Sequence, residues 1–187
     1  MQWKVWYISG YIWGIFDVFT CKTGSGSGSG AANHHFFTRK GAYVKYSQGS
    51  FGRVFLLKFE DMDNLLEELK KVVVKEKIKV GTIMLLGGMR SAGIVTGPKE
   101  VVVPPDPMWT NVNDGREVLG FGTLFWKGDE PVIHLHGALG RGKETYTGCI
   151  RKDTLVYLVV EAVITEIVGI GARKALDEKT GLVMLKL

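Results

Sequence analysis

The chain has 187 residues, 45 % of them hydrophobic and 23 % charged, which is the composition of a soluble globular protein long enough to bury one core. A formal net charge of +5 allows contact with nucleic acid or another anionic partner, but the chain has no run of five basic residues and no Arg-Gly-Arg-Pro minor-groove hook. The two cysteines, Cys21 and Cys149, are too few for a disulfide framework, so we expect a protein of the reducing cytoplasm with no membrane partner.

The first 37 residues differ in character from the rest. Met1–Cys21 is rich in Trp, Tyr, Phe and Ile, and Gly24–Gly30 is a strict Gly-Ser alternation of the kind found in flexible linkers. We therefore interpret residues 1–37 as an N-terminal extension, non-native or mis-started, and residues 38–187 as the folded domain. The extension is predicted to be dispensable for folding, and the histidine pair that begins at His34 is not interpreted as a metal site.

Short apolar runs separated by Gly-rich turns follow, which predicts many strands. The predicted strands are Tyr43–Gln48, Val54–Phe59, Val80–Leu86, Ser91–Thr96, Glu100–Val103, Glu117–Trp126, Val132–Leu139, Thr145–Ile150, Leu155–Ile167 and Leu182–Leu187. Leu155–Ile167 is assigned to a strand rather than a helix because Val and Ile dominate it. Residues 49–52 and 178–181 are predicted to be turns, and the proline-rich segment Pro104–Asn113 a loop.

One helix is predicted after the second strand. Asp61 or Asp63 serves as its N-cap, and apolar residues recur at helical spacing as far as about Lys77. Gly87-Gly88, after the next strand, predicts a β-bulge or a close backbone approach, and not a phosphate loop, because no Gly-Lys-Ser/Thr follows. The fold class is therefore α+β, a mostly antiparallel β-sheet with one main amphipathic helix.

The spacing of two histidines and a cysteine predicts a metal site. His134 and His136 point to the same face if Val132–Leu139 is a strand. A two-residue turn at Arg141-Gly142 would place Cys149 directly opposite His134. Two imidazoles and a thiolate suit zinc with one position left open, so His134, His136 and Cys149 are the predicted metal ligands. The alternative is three unrelated strand residues, with Cys149 acting as a small buried hydrophobe.

Four segments in this order resemble a known family. They are Thr82–Ala92, Glu117–Thr123, Pro131–Gly137 and Thr147–Ile150. The chain from Ala42 to Leu187 resembles the PPC domain, which is conserved in plants and prokaryotes, and in particular its stand-alone prokaryotic type. Prokaryotic proteins of this type are regarded as DNA-binding, whereas in plants the domain accompanies AT-hook motifs in nuclear proteins.

The resemblance implies an antiparallel α+β fold and a homotrimer. Some prokaryotic members carry a metal in a histidine cluster, and the usual third histidine matches Cys149, in the context Thr147-Gly148-Cys149. Cysteine also binds zinc, so a metal-competent set of ligands is retained. The AT-hook is absent, so the plant mode of minor-groove binding does not carry over.

Three functions follow from these observations, and a DNA-associated regulatory homotrimer with a zinc site is ranked first. The second is a metal-dependent enzyme or small-molecule binder, with Glu117 or Glu130 as a base and Arg90 or Arg116 as an anion-binding residue. The third is a trimeric assembly module without catalytic activity, with Leu155–Ile167 at its interface. The sequence assigns no catalytic residue and no organic cofactor, and it favours a protein that is not an enzyme.

Overall fold

Twelve strands and one helix form the part of the chain that the computed structural model describes, residues 36–39 and 42–187. The strands are β1 (Phe36–Arg39), β2 (Ala42–Lys45), β3 (Ser50–Glu60), β4 (Gly81–Met89), β5 (Ala92–Pro98), β6 (Pro107–Val112), β7 (Arg116–Lys127), β8 (Glu130–Arg141), β9 (Glu144–Lys152), β10 (Val156–Val168), β11 (Arg173–Asp177) and β12 (Leu182–Lys186). The helix α1 spans Leu65–Lys75. The Gly-Ser linker, Cys21 and His34 lie outside the described residues, and the domain boundary at residue 38 stays a prediction.

Eight strands form one antiparallel sheet, and four others form two separate hairpins. The order in the sheet is β3-β10-β4-β7-β8-β9-β5-β6, and the hairpins are β1–β2 and β11–β12. Side chains alternate between the two faces, as β7 shows: Val118 and Leu124 are buried whereas Leu119 and Phe121 are exposed. The predicted antiparallel architecture is confirmed, with the helix as a minor element.

Helix α1 covers one face of the sheet. Its buried side chains recur at every fourth position and join the same core as the sheet residues; they are Leu65, Leu69 and Val73. The helix ends at Lys75, two residues before the predicted end, and Lys77 has a left-handed backbone with φ of 53°. The sheet therefore has one face packed against the helix and one open face.

The N-cap of the helix is Asn64 and not Asp61 or Asp63, so that prediction was wrong. Both aspartates are engaged elsewhere. Asp63 Oδ2 accepts a hydrogen bond from the Glu60 amide at 2.9 Å, and Asp61 forms an ion pair with Arg90. Asn64 was not among the predicted caps, although its residue type is as suitable for a cap as an aspartate.

Three predictions near the edges of the sheet, namely a turn, a strand and a loop, were also wrong. Residues 50–52 are not in a turn but extend β3, where Ser50 pairs with Val168 of β10. Glu100–Val103 is not a strand, because it lies in the connection between β5 and β6 with no strand beside it. Pro104–Asn113 is not all loop, since it contains β6; a proline is tolerated at the start of an edge strand.

A bulge forms where the two glycines of β4 meet β10, as predicted. Tyr157 pairs with Gly88 but Val160 pairs with Gly87, so Leu158 and the residue after it are extra on β10. Gly87 has φ of 139°, and a Cβ there would collide with the backbone of β10. Leu158 itself has a left-handed φ of 64°, which marks the bulge as a sharp change of direction.

The open face of the sheet carries a continuous apolar surface. Direct cross-strand neighbours run from β3 to β9 in one row, namely Leu56, Val163, Met84, Phe121, His136 and Cys149. A parallel row adds Leu86 and Leu119. Leu56 is 81 % exposed and Leu119 is 69 % exposed, so this apolar surface, which we call the outer face, is not covered by any other part of the chain that the structure describes.

Strand β10 contributes only one of its two sides to this surface. Its β-branched residues Val156, Val160 and Ile164 are fully buried, because β10 lies between β3 and β4 and its inner side faces the helix. An interface at Leu155–Ile167 would therefore use only the exposed side of the strand, and it stays a prediction. No helix among the described residues is long and apolar enough to cross a membrane.

Candidate metal centre

The β8–β9 hairpin brings His134, His136 and Cys149 together, with a register that differs from the predicted one. Cys149 lies opposite His136, not opposite His134. The loop is Gly142-Lys143 rather than Arg141-Gly142, because Arg141 pairs with Glu144 and Gly142 takes the positive φ of 59° that such a short turn requires. The shift is two residues, so the three side chains still share the outer face.

The ligating atoms of the three residues are close enough to share one ion. The Nε2 atoms of His134 and His136 are 3.1 Å apart, and all three ligating atoms lie within 4.8 Å of one another. A tetrahedral zinc ion holds two imidazole nitrogens about 3.3 Å apart and a nitrogen and a thiolate about 3.6 Å apart. The cluster therefore fits a metal after a small movement of Cys149 or of the rings.

Burial and nearby charge govern the protonation of the cluster. Burial lowers the pKa of His134, and the positive charges of His136, Lys174 and Arg151 lower it further. A low pKa favours the neutral imidazole, which is the form that binds a metal. Burial raises the pKa of the Cys149 thiol, so a metal would bind there with release of the thiol proton.

The remaining candidate residues lie away from this cluster. Glu117 pairs with Gly140 and Glu130 is at the start of β8, and neither belongs to the group of potential ligands. Arg90 and Arg116 line a separate groove. Neither base candidate from the sequence is thus placed among the potential ligands.

Sequence reasoning missed two cations beside the cluster. Arg151 follows Cys149 by two residues on β9, so strand alternation alone could have placed it on the same face. Lys174 comes from β11, a strand that was not predicted, and burial lowers its pKa. Only the tertiary structure brings Lys174 near His134, because the two residues are forty positions apart.

A family profile matches most of the described chain. The profile of the Plants and Prokaryotes Conserved (PCC) domain covers residues 46–168, which is more than half of the sequence. This stretch contains the helix, the bulge and the whole β8–β9 hairpin. No curated protein matches the chain.

Several solved structures share the fold. A metal-containing protein of Archaeoglobus fulgidus aligns with a TM-score of 0.68 and 23 % identity over 77 % of this chain and 100 % of its own. A plant- and prokaryote-conserved (PPC) protein of Pyrococcus horikoshii aligns with a TM-score of 0.63 and 21 % identity, over 75 % of this chain and 95 % of its own. A "putative DNA-binding protein" of Bacteroides thetaiotaomicron aligns with a TM-score of 0.63 and 14 % identity, over 74 % of this chain and 96 % of its own. At these identities the similarity concerns the fold.

Proposed function

Because the chain belongs to the Plants and Prokaryotes Conserved domain family, we propose that it is a DNA-associated regulatory protein of the cytoplasm that works as a homotrimer and holds one zinc ion. The observation that carries the zinc proposal is the placement of His134, His136 and Cys149 within 4.8 Å of one another. The family and its structural neighbours support the DNA proposal. The apolar outer face supports self-association.

His134 and His136 would bind the ion through Nε2 and Cys149 through Sγ. Zinc bound there would supply either a structural cross-link between β8 and β9 or a Lewis acid at its open position. The name of the A. fulgidus neighbour states that it contains a metal, which fits a metal centre in this fold. Zinc is proposed rather than a harder metal because the third ligand is a thiolate.

Contact with DNA is proposed from two observations. Neighbours from B. thetaiotaomicron and Ralstonia eutropha are both described as "putative DNA-binding" proteins. In addition, helix α1 presents Lys70, Lys71 and Lys75 along one groove. Lys71 pairs with Glu68, whereas Lys70 and Lys75 make no ion pair among the described residues, which leaves their charges available to phosphate.

Fluorescence anisotropy with labelled duplex DNA over a range of salt concentrations tests this function. Phosphate contacts make the logarithm of the binding constant fall linearly with the logarithm of the salt concentration. The double variant Lys70→Glu/Lys75→Glu should bind at least ~10-fold more weakly at low salt, since two phosphate contacts become repulsive. Lys143→Glu, at the hairpin tip, is the control. Absence of binding, or binding that salt does not weaken, would reject the DNA function.

A metal-dependent enzyme is the second candidate, and one observation favours it. Three protein ligands leave a zinc coordination position open, which is the pattern of catalytic rather than structural sites. Lys174 and Arg151 beside the cluster would favour an anionic substrate at that position. Hydrolysis of ester or phosphoester substrates by the zinc-loaded protein, lost in His136→Ala, would support this alternative over the regulatory one.

A further inference from the structure

Two arginines hold buried N–H groups that no described residue satisfies. Arg116 Nη1 and Arg90 Nε are the only buried side-chain polar atoms without a hydrogen-bond partner in residues 36–39 and 42–187. Both residues line one groove of about 740 Å³. We call it the arginine groove; its main residues are Arg90, Asp114, Arg116, Glu117, Arg141 and Tyr157.

Arg116 is fixed at the bottom of this groove. Its side chain is 5 % exposed. Nε and Nη2 donate to the two carboxylate oxygens of Asp114 at 2.9 and 2.8 Å, and the guanidinium carbon lies 4.5 Å from the centre of the Tyr146 ring. The ion pair and the ring hold the guanidinium plane in place and leave the Nη1 edge unused.

Arg90 has the same surroundings on the other side of the groove. Its Nη2 donates to both oxygens of Asp61 at 2.9 and 3.1 Å, and its guanidinium carbon lies 5.1 Å from the centre of the Tyr157 ring. The bulge in β10 sets this geometry, because the amide of Leu158 donates to Asp61 at 2.9 Å. A second arginine is thus oriented by one acid and one tyrosine, with Nε unused.

An unsatisfied buried donor on a charged group is costly, so a fold that keeps two of them in one groove is arranged for an acceptor. Guanidinium edges match planar oxyanions. Three arginines line the groove with Asp114 and Glu117, and Asp61 and Glu144 also pair with Arg90 and Arg116. The groove therefore carries no excess of positive charge, which favours a monoanion held by the two spare N–H groups over a polyanion. Arg141 is 60 % exposed and shares Asp114 with Arg116, so a movement of Arg141 alone would open the way to Arg116.

We propose that the arginine groove binds a small monocarboxylate. The carboxylate accepts hydrogen bonds from the spare N–H groups of Arg116 and Arg90, and the apolar part of the ligand packs on the Tyr157 ring. The site is separate from the candidate metal centre, since none of its ligands lines the groove. The proposal therefore does not depend on zinc or on DNA.

Isothermal titration calorimetry with benzoate tests the proposal, because benzoate combines a carboxylate with a flat apolar body. We expect saturable binding at one site per chain. Benzamide, which has the same shape without the charge, should bind at least ~10-fold more weakly. The same titration with inorganic phosphate distinguishes a carboxylate site from a phosphate site. Phosphate that binds more tightly than benzoate would overturn the assignment to a carboxylate.

Variants locate the binding in the groove. Arg90→Gln should weaken benzoate binding roughly tenfold, because it removes one charged donor. Arg116→Lys should do the same by replacing the planar fork with a point charge. The matched control is Arg53→Gln, since Arg53 also lies over an aromatic ring, Phe55, and pairs with an acid, but is outside the groove. The control should bind benzoate as the unmodified protein does.

Nitrogen NMR of the arginine side chains keeps the test independent of the folding of the Arg116 variant. In the unmodified protein, benzoate should shift the Nε–H signals of Arg90 and Arg116 and leave that of Arg53 in place. No saturable benzoate binding, or equal binding by Arg90→Gln and Arg53→Gln, would overturn the proposal.

Discussion

The chemistry of the candidate metal centre is decided by three side chains. His134 has a lowered pKa and offers a neutral imidazole, while Cys149 is a buried thiol whose pKa is raised. The edge-to-face rings of His134 and His136, at 77° to each other, already direct both Nε2 atoms to one point. The protonation and orientation of the three potential ligands therefore depend on these residues and their immediate neighbours.

Removal of one ligand should abolish zinc binding. We expect His136→Ala to retain less than about a tenth of the zinc of the unmodified protein, because two ligands rarely hold the ion. Thr123→Ala, opposite His134 on the same face, should retain it. Metal content is measured by mass spectrometry after loading with zinc and gel filtration.

Cobalt(II) provides a second readout for the same site. A thiolate–cobalt charge-transfer band should be present in the unmodified protein and absent in Cys149→Ser. The proposed metal site would be rejected if the unmodified protein kept no zinc. It would also be rejected if the His136→Ala protein kept as much zinc as the unmodified protein.

The ion pair between Arg53 and Glu166 should make the stability depend on pH. Arg53 donates from Nε to Glu166 at 2.8 Å, and this hydrogen bond lowers the pKa of Glu166 below its usual 4.5. A carboxyl with a lowered pKa stabilises the fold above its ordinary pKa, and that contribution is lost as the pH falls through and below it.

The comparison of melting temperatures with Glu166→Gln checks this pH dependence. The variant should be less stable by no more than about 1 kcal/mol at neutral pH, since the pair is partly exposed, and the difference should shrink as the pH falls below 4.5. Glu178→Gln, in the last turn, should show no such trend, because Glu178 makes no ion pair among the described residues. A difference that is as large in acid, well below the ordinary pKa of a glutamate, as at neutral pH would contradict this account.

Single polar side chains fix how the helix joins the sheet. Asn64 caps α1 and its Oδ1 also accepts the hydroxyl hydrogen bond of the buried Thr154 at 2.8 Å. Thr154 in turn accepts from the amide of Leu66 at 3.2 Å. The cap therefore links the first turn of the helix to the segment that leads into β10.

Asn64→Ala should destabilise the protein by about 1–3 kcal/mol, because it removes the cap and leaves the Thr154 hydroxyl without its acceptor. Asn64→Asp keeps an acceptor oxygen and should cost much less. Lys70→Ala, on the exposed side of the same helix, should change the free energy of unfolding by less than about 0.5 kcal/mol. Urea denaturation measures all three, and equal effects of Asn64→Ala and Lys70→Ala would disprove the role of the cap.

At the scale of the whole molecule, the outer face is the surface best suited to bind a partner. Leu56, Met84, Leu119 and Phe121 are each more than half exposed on one side of the sheet. Apolar surfaces of this extent mark interaction sites, and the proposed homotrimer would cover this one. His136 lies in the same row, so assembly would also shield the candidate metal centre.

Leu119→Lys should convert the assembly into monomers without loss of secondary structure, because it places a charge in the apolar surface and leaves the core intact. Val101→Lys is the control, since Val101 is fully exposed but lies in the β5–β6 connection. Light scattering at micromolar concentration and circular dichroism report the two properties. A monomeric unmodified protein would reject the trimer.

The sequence by itself determined the features that depend on local periodicity. Alternation along the strands placed His134, His136 and Cys149 on one face even with the register wrong, because an error of two residues preserves the face. The glycine pair of β4 likewise predicted the bulge, since only glycine permits so close an approach of two backbones.

The tertiary structure decided what depends on distant parts of the chain. Three separate strand ends bring Arg90, Arg116 and Arg141 into one groove, and no local pattern connects them. Asp61, one of the two predicted caps, pairs with Arg90 29 positions away, and Asn64 caps the helix instead. Strand order and long-range ion pairs arise from packing free energy summed over the whole sheet, so a periodicity read along the chain does not contain them.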